Sequence, residues 1–97
     1  MFKLLFTAES EKQLAQLKKS AHLKKRYKSV CKALGLLETN PRHSGLNAHK
    51  YKNMWGANGE EMFEVYAENN TPAAYRIFWF YGPDKKQITI VAIVPHP

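Results

Sequence analysis

The hydrophobic period of this chain changes once, and that change sets the class of fold it can form. Before residue 41 the apolar side chains keep helical spacing. Leu23, Tyr27, Val30, Cys31, Leu34 and Leu37 fall on one helical face, while Lys24, Lys25, Arg26, Lys28 and Lys32 fall on the others. Asn40-Pro41 ends the pattern, because the residue before a proline is pushed out of the helical region. A polar loop follows over 41–49, and beyond it the period is two, the spacing of strands. Helices first and strands afterwards point to an α+β domain.

The remaining elements fill in that plan. Phe2 to Phe6 reads as a short first strand. Ala8 to Ser20 reads as a helix, with Thr7 or Ser10 as its cap, Glu9 and Glu11 at its positive end, and Lys18 and Lys19 at its negative end. Leu14, Leu17 and Ala21 mark its inner face. Strands are expected near Tyr51–Met54, Met62–Glu68, Tyr75–Tyr81 and Gln87–Val94. Gly56-Ala57-Asn58-Gly59, Asn69-Asn70-Thr71-Pro72 and Gly82-Pro83-Asp84 supply the turns between them. Short turns between consecutive strands imply antiparallel pairing. The expected domain covers residues 1–97 in the order β-α-α-β-β-β-β. It has an antiparallel sheet of about four to five strands, with both helices packed on one face.

Alternation sorts the strand side chains into two sets. Phe63, Val65, Ile77 and Trp79 form the better core, so the helices should cover them. Glu64, Tyr66, Arg76, Phe78 and Phe80 then share the opposite, open face. Arg76 stands out, because a buried and unpaired guanidinium is very costly. Either Glu64 or Glu68 pairs with it across the strands, or it faces a groove where an anion sits. Aromatic side chains beside a cation on an open sheet can stack bases and hold phosphate.

Charge supports an anionic partner. The net charge is +7, with nine Lys/Arg against two Glu in residues 1–34 and three against five acidic residues in 60–97. A nucleic acid or an acidic protein fits such a surface. No apolar run approaches the roughly 18 residues that span a bilayer, and no signal segment is evident, so a cytoplasmic chain without a membrane partner is expected. One cysteine, Cys31, gives no disulfide framework and is expected in the core of the second helix. His43 and His49 lack the companion ligands of a metal site, so no metal or other cofactor is expected. Trp55, before a glycine-containing turn, is expected at the surface, as a loop anchor or a partner contact.

The element order resembles the RelE/ParE superfamily of type II toxin–antitoxin toxins over nearly the whole chain. Asn40-Pro41, Leu46-Asn47-Ala48-His49-Lys50-Tyr51-Lys52 and Tyr75-Arg76-Ile77-Phe78 carry the resemblance. It implies a compact toxin, neutralised by a cognate acidic antitoxin. RelE-type members are endoribonucleases that cut mRNA, usually on the ribosome, and so inhibit translation. ParE-type members poison DNA gyrase. A third possibility is a basic RNA- or protein-binding module of the same fold without enzyme activity. The resemblance places a phosphate-contacting arginine at Arg76 and a histidine after the last strand at His96. It also places a loop histidine at His49. The chain departs from RelE at Met62 to Tyr66, where Glu64 stands instead of a lysine pair, and past Pro97, where the family's basic residue and tyrosine are missing.

Cleavage of this kind uses the RNA 2′-hydroxyl as nucleophile. It needs a base, an acid for the leaving 5′-oxygen, and cations for the charge on phosphorus. Arg76 suits the last role, because its planar fork binds two phosphate oxygens. Histidine titrates near neutrality, so His96 suits acid or base, and Glu64 suits base or the orienting of His96. For RNA binding the expected residues are Lys24, Lys25, Arg26, Lys28, His49, Lys50, Lys52, Tyr66 and Phe78. The oligomeric state is left open.

Overall fold

The computed structural model describes residues 1–69 and 71–96; Asn70 of the expected turn and the Pro97 beside His96 lie outside them. The elements run β1 (Lys3–Phe6), α1 (Ala8–Lys19), α2 (Lys24–Thr39), β2 (His49–Trp55), β3 (Glu61–Tyr66), β4 (Tyr75–Tyr81) and β5 (Gln87–Pro95). Short 3-10 turns at Ala21–Leu23 and Ser44–Leu46 lead into α2 and β2. The five strands form one sheet in the order β1-β5-β4-β3-β2. Strands β2 to β5 pair antiparallel, as expected from their short turns, but β1 pairs parallel with β5. No hairpin joins β1 to β5, since both helices and three strands separate them, so no turn dictates their direction.

The core lies between helices and sheet. Val30, Leu37, Val65, Ile77, Trp79, Ile88, Ile90 and Ile93 are almost wholly buried there, with Leu17, Ala33, Leu34 and Leu46 around them. Val65, Ile77 and Trp79 therefore face the helices as alternation predicts, and Phe63 packs partly buried against them. Two expectations for the helices need correcting. Cys31 is exposed, because the buried stripe of α2 runs through Val30, Ala33, Leu34 and Leu37 and position 31 lies about 100° round the helix from position 30. Ala21 is exposed in the 3-10 turn rather than on the inner face of α1.

Helix α1 is fixed to β5 by polar contacts as well as apolar ones. Thr7 caps the helix, accepting from Ser10 N at 3.1 Å, and its hydroxyl donates to Val91 O at 3.0 Å. Ser10 is fully buried and its hydroxyl donates to Ile90 O at 2.8 Å. Gln13 Oε1 accepts from Ile93 N at 2.7 Å. These contacts surround an irregularity in β5. Phe78 pairs with Ala92 and Trp79 with Ile90, which leaves Val91 as the extra residue of a bulge. The bulge resets the alternation, so that Ile88, Ile90 and Ile93 all reach the core. Among the described residues no helix is long and apolar enough to cross a membrane.

Candidate active site

The face of the sheet away from the helices is where the sequence places Arg76, and the structure gives it an acidic neighbour. Glu64 of β3 stands opposite His49 of β2 and Phe78 of β4, while Tyr66 stands opposite Arg76. Arg76 Nη1 donates to Glu64 Oε2 at 2.8 Å. The other carboxylate oxygen, Oε1, lies 2.7 Å from His49 Nε2. The Glu64 side chain is only 5% exposed, against 17% for Arg76 and 52% for His49. The acid is thus the foundation of the cluster, and the two basic groups lie nearer to solvent.

Two aromatic rings lie against the guanidinium. Arg76 Cζ lies 4.8 Å above the Phe78 ring centre and 5.9 Å from that of Tyr51. Tyr51 meets Phe78 edge-on at 4.8 Å. The expected open face is therefore partly closed. Phe78 is buried at 2% exposure, as is Met62, so Phe78 is a support for Arg76 rather than a free stacking surface. Arg76 Nε is buried, with no hydrogen-bond partner among the described residues.

Tyr66 links the cluster to the chain end. Its ring lies 6.4 Å from that of His49, near parallel, and 5.7 Å from that of His96, tilted. His96 is placed by its own backbone, whose N–H donates to Ala74 O at 2.9 Å. A groove of about 490 Å³ continues from Tyr66 and His96 past Glu68 to Thr71, Pro72 and Ala73.

The structure thus gathers Glu64, Arg76, His49, Tyr66, Phe78 and His96 on one side of the sheet. The lysines lie elsewhere. Lys24, Lys25 and Lys28 are exposed on the first turns of α2. Arg26 is engaged with Glu68 at 2.7 Å and the Pro72 carbonyl at 3.1 Å, so it closes the outer end of the groove. Lys50 pairs with Glu61 at 2.9 Å and lines a cleft of about 560 Å³ beside Phe63 and Trp79, on the helix side. Lys52 is exposed beside Trp55, whose own exposure is 60%. Tyr51 is the residue that sequence reasoning did not single out. Its signal was its two-residue spacing from His49, which puts both on one strand face.

The imidazole of His49 has its pKa raised. The hydrogen bond to the Asn47 carbonyl is the largest cause, burial opposes it, and the hydrogen bond and charge of Glu64 add to it. Among the described residues no group of three His, Cys, Asp or Glu side chains is arranged to hold a metal ion.

No family model matches this sequence, and no curated protein matches it. Solved structures do resemble the fold. The YoeB dimer from Staphylococcus aureus aligns over 99% of this chain and 98% of that one, with a TM-score of 0.69 at 14% identity. A YoeB/ParE toxin from Agrobacterium tumefaciens aligns over 99% and 100%, with a TM-score of 0.72 at 7% identity. The archaeal RelE–RelB complex from Pyrococcus horikoshii OT3 aligns over 97% and 93%, with a TM-score of 0.65 at 17% identity. All three alignments span nearly the whole of both chains, and the chain has the fold of RelE/ParE-type toxins.

Proposed function

We propose that this chain is the toxin of a type II toxin–antitoxin pair and acts as an endoribonuclease on mRNA, at the ribosome. One observation carries the reading: a buried carboxylate, Glu64, holds Arg76 and His49 on the same sheet face as Tyr66 and His96. A simple structural ion pair needs only one partner for Glu64. Here the acid has two, and a second histidine adjoins through Tyr66.

The chemistry follows from what each group can reach. The RNA 2′-oxygen attacks phosphorus and gives up its proton. The bond from phosphorus to the 5′-oxygen breaks, and that oxygen takes a proton, leaving a 2′,3′-cyclic phosphate and a 5′-hydroxyl. Arg76 stabilises the charge on the phosphorane oxygens. His96 serves in proton transfer. Glu64 is too buried to meet the substrate, so its role moves from base to orienting group for Arg76 and His49. Tyr66 stacks a base next to the scissile phosphate. Lys24, Lys25 and Lys28 hold RNA backbone where the groove ends at Arg26, without reading sequence. The partner that restrains the activity is an acidic antitoxin, drawn to the same positive surface.

Controlled expression with mapping of mRNA ends tests the reading. Growth should stop, and new 5′ ends should map within translated messages. Arg76→Ala should lower cleavage roughly 100-fold to 1,000-fold while the domain stays folded. Intact mRNA at growth-arresting levels would refute the nuclease assignment.

A further inference from the structure

Both ring nitrogens of His49 face oxygens. Nδ1 lies 3.0 Å from the Asn47 carbonyl, and Nε2 lies 2.7 Å from Glu64 Oε1. A carbonyl has no hydrogen to give, and neither has an ionised carboxylate. Neutral imidazole carries one N–H and satisfies one of these contacts, whereas imidazolium satisfies both. The carboxylate likewise meets a base from each side, with Arg76 on Oε2.

The consequence is a charge count. Arg76 and Glu64 alone cancel, and a neutral pair has little attraction for phosphate. With His49 charged, two cations surround one anion and the cluster keeps one positive charge. We propose that His49 is a positioning residue of this site: clamped as an imidazolium between Asn47 and Glu64, it stops Glu64 from cancelling Arg76 and keeps the site cationic toward an RNA phosphate. The nuclease reading enters only in naming that anion.

The surroundings of His49 favour this state. Glu64 and Tyr66 of β3 face it, with Arg76 of β4 behind Glu64 and His96 beyond Tyr66. Its neighbour Lys50 is turned to Glu61. The upward shift of the His49 pKa extends the charged state toward neutral pH. Half-exposed at 52%, the ring is also open to the arriving anion.

Ring NMR of the four histidines against pH tests the clamp directly, with His49→Gln to assign the signal. His49 should titrate above the ordinary value of about 6.5, and Glu64→Gln should move it down. A midpoint at or below the ordinary value overturns the proposal, even if Glu64→Gln fails to fold. Cleavage of a short RNA against pH gives the second readout. His49→Gln keeps an amide N–H for Glu64 but no charge. It should lower kcat/KM about 10-fold to 100-fold and remove the decline that His49 deprotonation imposes at alkaline pH, while His49→Lys recovers part of the rate. A wild-type rate and profile in His49→Gln would overturn the role. If the wild-type chain cuts no RNA, the nuclease reading fails by itself, and the NMR midpoint still decides the clamp.

Discussion

Replacing Glu64 by Gln keeps the shape of the side chain and removes the charge on which the cluster is built. Arg76, 17% exposed, would lose its carboxylate, and its Nε already has no partner among the described residues. Breaking a fully buried ion pair costs about 3–5 kcal/mol. Here the cost is lower, since the Gln carbonyl still accepts one hydrogen bond and His49 is half in water. We expect about 2–3 kcal/mol, the range of a hydrogen bond between charged groups. Against a total of about 5–15 kcal/mol, the domain stays folded. For a chain of this size that loss lowers Tm by about 10–20 °C. Calorimetry on the wild type, Glu64→Gln, Arg76→Met and the double variant would measure it. The double variant should lose clearly less than the two single losses added together, because the second substitution removes the charge that the first left stranded. An unchanged Tm in Glu64→Gln, or strict additivity, would refute the description of Glu64 as the foundation of the site.

Further outcomes can be checked in the same way. Gly35→Ala should raise stability by about 0.5–1 kcal/mol in denaturant titration, because a Cβ there meets nothing within 4 Å and the position is helical. Ser10→Ala should cost about 1–3 kcal/mol, because the fully buried hydroxyl satisfies Ile90 O. The stability advantage of the wild type over His49→Gln should depend on pH. A raised folded-state pKa gives a contribution that is complete below the unfolded value of about 6.5. That contribution is lost as pH rises through the folded value, so denaturant midpoints should converge in alkaline buffer.

Some of this architecture could be read from residues alone, and the reasons differ from place to place. The change of period at Asn40-Pro41 located the helical and strand halves. Alternation put Val65, Ile77 and Trp79 under the helices and Glu64 with Arg76 on the far side, because a strand's faces are set locally. The partners of Glu64 were another matter. Whether Glu64 or Glu68 meets Arg76 depends on register, and Glu68 went to Arg26 of α2, far along the chain. His49 opposite Glu64 likewise depends on the start of a strand whose pairing is irregular between Lys50 and Trp55. Phe78 looked exposed because alternation says which side a residue faces, not what Tyr51 lays over it. The stripe on α2 was drawn too wide at Cys31, where a small apolar residue is equally at home at the margin.

The single extra residue at Val91 acts like a frameshift in the spatial reading of β5. Before it, the even positions Ile88 and Ile90 point to the helices; after it, the odd position Ile93 does, and the even Val94 and His96 point the other way. His96 meets Tyr66 only because of that shift. The side chains gathered around the shift are Thr7, Ser10 and Gln13, on a helix that lies behind the sheet and never approaches RNA in the proposed reaction. The orientation of the terminal histidine is thus inherited from the opposite side of the protein. Losses of activity from substitutions in α1 would then report a strand read out of phase, with Arg76 and Glu64 still in place.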